Sequence, residues 1–274
     1  MNKVDQLFQD NIKTILRVGS WDKNPRPVWP DGTVAHSRFI TQVHETYDLA
    51  AGEFPLTSLR KIAWKSAIKE MLWIYQDQSN DIDLLKSKYG ISWWDEWESL
   101  QHPRTIGLRY GYTVKKFNQI DNLIKEIKAN PDSRRLIMTL WDWTDLYASD
   151  GLYPCAYETL WSISDNKLNV TLIQRSSDYL AAGHINKIQY VALQMMVAAE
   201  CGLELGKFTH FVNNLHIYDR HLAYAEQLAD VQTDVGIPKL ILNKKPFYEV
   251  NIDDFELLGY EPVNQEPVKL EIAI

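Results

Sequence analysis

Apolar residues at Val4, Leu7, Phe8, Ile12, Ile15 and Leu16 recur at three- and four-residue intervals, which predicts an amphipathic helix at the start of the chain. Residues 22–33 break that pattern with Pro25-Arg26-Pro27 and the turn signal Pro30-Asp31-Gly32, and read as an exposed loop. Helix formers return over residues 58–78, around Ala67, Glu70, Met71, Leu72 and Trp73, and Ile120, Leu123, Ile124 and Ile127 predict a short helix ended before Pro131. The middle of the chain turns to strand character. Residues 136–141 are nearly continuously apolar, and Leu168, Val170 and Leu172 alternate with polar neighbours. Ile188, Val191, Ala192, Met195, Met196 and Ala199 restore helical spacing, with Gly202 placed as a C-cap. A strand over 208–212, a helix after His216 and an alternating terminus at Val268, Leu270, Ile272 and Ile274 complete the pattern. Strands and helices mix without a regular β-α-β rhythm, which predicts an α+β fold with a large mixed β-sheet flanked by helices. No repeat or Gly/Ser/Pro-rich linker divides the sequence, so residues 1–274 read as a single domain.

Composition narrows the field. With 45% hydrophobic and 24% charged residues over 274 positions, the chain is ordinary for a globular protein with a large core, not a disordered or fibrous one. Its net charge of −7 argues against DNA or an anionic membrane as a partner, yet leaves room for a small anion in a local arginine cluster. The most apolar long stretch, 190–199, contains Gln194 and is far shorter than the roughly 20 residues needed to span a bilayer. Met1 to Gln6 lacks the apolar run of a signal peptide, and Cys155 and Cys201 form no CxxC pair or metal-ligand spacing. Soluble, reduced, cytoplasmic and metal-free is the expectation.

Five features carry candidate chemistry. Cys155, in Tyr153-Pro154-Cys155-Ala156, is either a small buried hydrophobe or, with arginines folded beside it, a nucleophilic thiolate of lowered pKa; Cys201, at a helix end, reads as packing. Arg134-Arg135 is a solvated turn or part of an anion site. Gln174-Arg175-Ser176-Ser177-Asp178 ends a strand with guanidinium and hydroxyl donors for phosphate and a carboxylate for a ring N–H. His216 and Tyr218, in Asn213-Asn214-Leu215-His216-Ile217-Tyr218, suit a sugar hydroxyl, although His216 could equally cap a helix. Glu70 lies either on a polar stripe or, if buried, is a carboxyl of raised pKa ready for proton transfer; the tryptophans of Trp93-Trp94-Asp95-Glu96-Trp97 are core or ligand platform.

In this order and spacing, Arg134-Arg135, Pro154-Cys155, Gln174-Arg175-Ser176 with Asp178 and Asn186, and His216-Ile217-Tyr218 closely resemble the thymidylate synthases, as do Glu70 in Glu-Met-Leu-Trp, Trp94-Asp95-Glu96-Trp97 and the apolar tail. The resemblance runs from about Arg26 to Ile274. It implies reductive methylation of dUMP to dTMP with 5,10-methylenetetrahydrofolate as co-substrate, and a sheet-mediated homodimer. It implies Cys155 as the nucleophile on uracil C6, supported by catalytic Glu70, Arg175, Asn186 and Tyr218. The dUMP phosphate falls to Arg26, Arg175 and Ser176 with Arg134 and Arg135 from the other subunit, and Ser177 is a further dUMP contact. Asn186 reads the base, His216 and Tyr218 hold the 3′-hydroxyl, and Asp178 lies between nucleotide and pterin. Folate contacts fall to Trp94, Asp178 and Ala273. Asparagine at 186 suits uracil, with an acceptor for N3–H and a donor for O4, whereas aspartate suits cytosine. Ala63, Ala156, Asn214 and the loop Leu180-Ala181-Ala182-Gly183-His184-Ile185 depart from the commonest family pattern and look like marks of a branch of shorter bacterial enzymes.

Three alternatives compete. A dUMP hydroxymethylase on the same scaffold would let water attack the exocyclic methylene in place of hydride, which Trp94 and a closed apolar tail would oppose. A Cys–His–Asn hydrolase would use Cys155, His216 and Asn214 within hydrogen-bond reach. A non-enzymatic binding module would exploit the 10 Trp, 14 Tyr and 8 Phe.

Overall fold

The computed structural model describes residues 1–266 and 268–274. Helix α1 (Lys3–Val18) starts where the Asn2 side chain accepts the Asp5 backbone N–H at 2.9 Å, and it buries Val4, Phe8, Ile12 and Ile15. Seven further helices follow: α2 (Trp64–Met71), α3 (Ile82–Tyr89), α4 (Gly111–Lys116), α5 (Gln119–Ala129), α6 (Trp143–Ala148), α7 (Gly183–Cys201) and α8 (Leu222–Asp230). The helix expected within 58–78 begins only at Trp64, then runs on from α2 as a π-helical turn, Leu72–Gln76, that starts two residues after Glu70. No described helix is long and apolar enough to cross a membrane.

Strands β1 (Ser20–Trp21), β2 (Ser37–Asp48), β3 (Ile137–Thr139), β4 (Ala156–Ser164), β5 (Lys167–Gln174), β6 (Ser177–Asp178) and β7 (Glu204–Tyr218) make one sheet in the order β1-β2-β7-β5-β4-β3, with β6 also paired to β7. β5 and β6 run parallel to β7 and the other pairs are antiparallel, so the sheet is mixed as expected. Strands β8 (Lys239–Leu242) and β9 (Phe255–Leu258) form a separate hairpin-like pair. Asp165 and Asn166, both with positive φ, turn β4 tightly into β5.

The inward face of the sheet presents Leu168, Val170, Leu172, Phe208 and Val212, all fully buried. Against it lies α7, whose all-round apolar sequence marks it as the central helix, ended by Gly202 in the left-handed conformation. The opposite face is different. Ile137 pairs with Leu160 and Ile173 with Phe211, yet Ile137 is 49% exposed and Leu160 36%. The alternating tail at 268–274 forms no strand: its one regular contact is the pairing of Ile274 with Val28 (N–O distances of 2.7 and 2.9 Å). Period-two spacing there lacks a neighbouring strand edge to bind along its length.

Candidate active site

Two strand ends bring the chemistry together. Cys155 precedes β4 and Arg175 follows β5; the Arg175 N–H donates to the Cys155 carbonyl at 2.9 Å, and the pairing slips between Ala156 and Glu158, bending β4 beside the cysteine. Arg175 is fixed by donating from Nε to the Pro154 carbonyl (3.0 Å) and from Nη2 to that of Tyr153 (2.8 Å), and its Nη2 lies 3.5 Å from Cys155 Sγ. The expectation of a simply lowered thiol pKa needs correction. Burial pushes the Cys155 thiol up, and the positive charges of Arg175 and Arg26 offset only part of that. Cys201 is half-buried far along α7, and burial raises it to about 11.

A cavity of about 50 Å³ lies over the sulfur, lined by Cys155, Ala156, Glu70, Met71, Ile74, Tyr75, Trp94, Tyr110, Asn186, Gln189 and Tyr190. A larger open groove of about 840 Å³ beside Trp141, Trp143 and Arg135 gathers no comparable set of reactive groups. Glu70 is buried, and burial raises its carboxyl to about 7, against the lowering effect of hydrogen bonds from Trp94 and Gln189. Of the two positions open for Glu70, a polar stripe or the interior, the fold puts it in the interior as a carboxyl of raised pKa. Trp94 directs its indole N–H onto Glu70 Oε1, so it serves the carboxyl as well as walling the cavity.

Tyr110 escaped the sequence reading. It sits at φ 54°, ψ −116°, a conformation that side chains rarely adopt, with its ring 5.1 Å from that of Trp94. The following Gly111 passes so close to Ser79 that a Cβ would stand 2.1 Å from the Ser79 carbonyl oxygen, which pins this turn. Gln174 and Gln189 were missed too. Asn186 Oδ1 accepts from Gln174 Nε2 at 3.0 Å and Asn186 Nδ2 donates to Gln189 Oε1 at 3.1 Å. For Gln174 a signal existed: it continues the inward series Leu168, Val170, Leu172, so a polar side chain was bound to point into the interior.

Along β6 and β7, Ser176 Oγ lies 3.5 Å from His216 Nδ1, the rings of His216 and Tyr218 are 5.0 Å apart, and Ser177 Oγ is buried without a partner among the described residues. Burial lowers the His216 pKa, keeping the ring neutral, and raises that of Tyr218. His216 Nδ1 pairs with Asn214 Oδ1 at 3.0 Å, while the contacts of Cys155 Sγ are Arg175 and the Tyr153 carbonyl, so the structure does not assemble a Cys–His–Asn hydrolase triad. Asp178, half-buried, accepts the Ala181 N–H at 3.1 Å. Arg26 is exposed on the proline-bearing loop. Arg134 and Arg135 are exposed just before β3, and neither acts on the Cys155 thiol within one chain. Ala273 lies one residue before the Ile274–Val28 pairing, and Arg220 ties the tail down, 2.8 Å from Glu271 and 2.6 Å from Asp31. Among the described residues, no three His, Cys, Asp or Glu side chains cluster as metal ligands would.

Comparison with known proteins places this arrangement. A family model described as thymidylate synthase matches residues 6–274. Thymidylate synthases of Streptococcus sanguinis and Streptococcus pyogenes are each 47% identical over 281 aligned positions that cover all of both chains. The solved structure of the thermostable thymidylate synthase A from Bacillus subtilis superposes with a TM-score of 0.91 at 34% identity, covering 99% of each chain. The chain belongs to the thymidylate synthase family.

Proposed function

We propose that this chain converts dUMP to dTMP by reductive methylation, using 5,10-methylenetetrahydrofolate and releasing dihydrofolate. The observation that carries this reading is the meeting of a thiol, an adjacent guanidinium and a buried carboxyl of pKa about 7 on one small cavity. Carbon 5 of uracil is too weak a nucleophile to attack a one-carbon donor unaided. Addition of the Cys155 thiolate to carbon 6 moves the ring π electrons into an enolate, which makes carbon 5 nucleophilic. Arg175 favours the thiolate through its charge. Once the one-carbon unit is attached, carbon 5 would lose its proton as the carbon–nitrogen bond to the folate breaks, and hydride supplied by the folate would reduce the exocyclic methylene to methyl while the Cys155 thiolate is expelled, restoring the ring double bond. Glu70 takes and returns protons at neutral pH, because its carboxyl is close to half ionised there.

The binding roles follow the chemistry of each group. Arg26, Arg175, Ser176 and Ser177 offer guanidinium and hydroxyl donors to the phosphate. His216 and Tyr218 hold the deoxyribose 3′-hydroxyl, and Asn186 reads the base. The folate fits the residues present: Asp178 has lone pairs beyond the one given to Ala181 N–H, Trp94 supplies an aromatic wall, and the tail bearing Ala273 packs beside Val28. When bound, the folate supplies a one-carbon unit and a hydride. Hydroxymethylation gains no support, since the relatives named above are thymidylate synthases.

We further infer a homodimer formed through the outward sheet face. Its support is the exposure of Ile137 and Leu160 on that face, beside exposed Arg134 and Arg135. Two guanidiniums that make no ion pair among the described residues suit the phosphate of a neighbouring subunit. Cytoplasmic residence accords with the two free thiols.

The test is incubation with 5-fluoro-dUMP and 5,10-methylenetetrahydrofolate, followed by sequencing of the labelled peptide. A covalent adduct on Cys155 is expected. An adduct elsewhere, or none, overturns the reading.

A further inference from the structure

Behind the cavity, five side chains form one hydrogen-bonded line. His210 Nε2 meets Gln174 Oε1 at 2.7 Å; Gln174 Nε2 donates to the Ser176 carbonyl at 2.9 Å and to Asn186 Oδ1 at 3.0 Å. Asn186 Nδ2 donates to Gln189 Oε1 at 3.1 Å, and Gln189 Nε2 donates to Glu70 Oε2 at 2.6 Å. A free carboxamide can present either end to a neighbour. Here the Ser176 carbonyl beside the line is a one-way group, whereas the two ends, His210 and Glu70, can each carry or lack a hydrogen. The Ser176 carbonyl only accepts, so Gln174 must turn its NH₂ toward it, and its oxygen must then receive a hydrogen from His210.

The imidazole can meet that demand in one form only. His210 is 1% exposed, its Nδ1 has no partner among the described residues, and burial with the nearby Lys187 ammonium holds its pKa at about 3. A neutral ring carries one N–H, and the geometry places it on Nε2. With the proton on Nδ1, the Nε2 lone pair would face the Gln174 oxygen at 2.7 Å. That repulsion would work against the Gln174 bond to the Ser176 carbonyl: a flip of Gln174 would relieve it at His210 but turn the Gln174 oxygen onto that carbonyl and onto Asn186 Oδ1, and Asn186 and then Gln189 would flip in turn. The flipped Asn186 would offer N–H toward base position 3 and oxygen toward position 4. That is the set cytosine requires, with its bare N3 and its 4-amino group.

We propose that His210 is a specificity-determining positioning residue. Without touching the nucleotide, its Nε2–H acts with the Ser176 carbonyl to hold the direction of the Gln174 and Asn186 amides, so that the site accepts a uracil nucleotide and turns away its cytosine counterpart. This rests on the dUMP reading above and deepens it. Glu45 and Lys187, an ion pair beside His210, are neighbours of the ring and not members of the line.

Three measurements test it. In the wild-type protein, nitrogen and carbon NMR shifts of His210 should show the neutral Nε2–H tautomer; an Nδ1–H tautomer overturns the proposal without any variant. Equilibrium binding of dUMP, dCMP and 2-deoxyribose 5-phosphate is then compared in the wild type, His210→Phe and His210→Gln. Loss of the donor in His210→Phe should narrow the dUMP-over-dCMP preference about tenfold while the base-free sugar phosphate binds unchanged. His210→Gln, which keeps an N–H at the end of the side chain, should restore most of the preference. An unchanged preference in His210→Phe, or equal weakening of all three ligands, overturns it. Adduct formation by the wild type with 5-fluoro-dUMP separates the two readings: its absence removes the dUMP assignment itself, and its presence leaves His210 to be judged by the variants alone.

Discussion

The Arg175 guanidinium stands 3.5 Å from the Cys155 sulfur and is held there by two backbone carbonyls, those of Tyr153 and Pro154. The charge beside the thiol is therefore positioned before any ligand arrives. Lysine cannot reproduce this, because it lacks the planar fork that grips both carbonyls. Arg175→Lys should shift the pH profile of iodoacetamide alkylation of Cys155 to higher pH and lower kcat/KM by about 100-fold or more. In the ligand-free wild type, the alkylation profile should lie above that of an ordinary thiol, since burial outweighs the arginines. An identical profile in the variant would show that Arg175 does not act on the sulfur.

Glu70 gives stability a defined pH dependence. Its carboxyl binds a proton up to about pH 7 in the folded protein, whereas an unperturbed glutamate releases it near 4.5. The folded state therefore holds more protons between these values, and stability falls as pH rises through the window, by on the order of 3 kcal/mol. Glu70→Gln should remove this slope in urea-unfolding midpoints measured at pH 5 and pH 8, and should reduce turnover by at least about 100-fold. A slope that survives in the variant would place its origin elsewhere.

Lys187 and Glu45 form an ion pair with side chains only 1% and 4% exposed, and Glu45 also accepts from Tyr47 and Tyr179, each at 2.8 Å. Lys187→Met strands a carboxylate in the interior and should destabilise the protein by about 3–5 kcal/mol. Changing Glu45→Gln in the same chain should recover a large part of that loss. Urea titrations of the single and double variants measure both effects, and additive losses would contradict the coupling.

If Arg134 and Arg135 serve the partner's phosphate site, two inactive chains can repair each other. Mixed dimers of Cys155→Ser and Arg134→Glu should regain activity, because one of their two sites has both intact parts. Mass spectrometry establishes subunit exchange, and silence from exchanged dimers would show that the phosphate site lies within one chain.

The parts of this protein that were legible in its sequence are those whose burial follows a period. Helices α1, α5 and α7 and strand β5 show their buried stripe directly. Strand β2 did not, because its inward side spends Glu45 on a buried ion pair and its outward side lies open, so no apolar alternation marks it. The charged and sulfur groups of the site stood out by residue type, in the order the family resemblance requires. Gln189 and His210 did not, and Gln174 showed only its inward direction: the partners that neutral amides and a buried imidazole meet are set by the fold. Tyr110 was hidden for another reason, since its placement depends on a backbone conformation that no hydrophobic pattern records.

That conformation has a practical consequence for protein engineering. Position 110 holds a large aromatic residue where glycine would sit at ease, at a cost of about 1–3 kcal/mol to folding. Glycine there would relieve that strain yet leave a void where the buried ring packs on Trp94, a larger loss of about 3–5 kcal/mol. Packing therefore holds the strained backbone in place, and durability and an intact cavity wall call for the same ring.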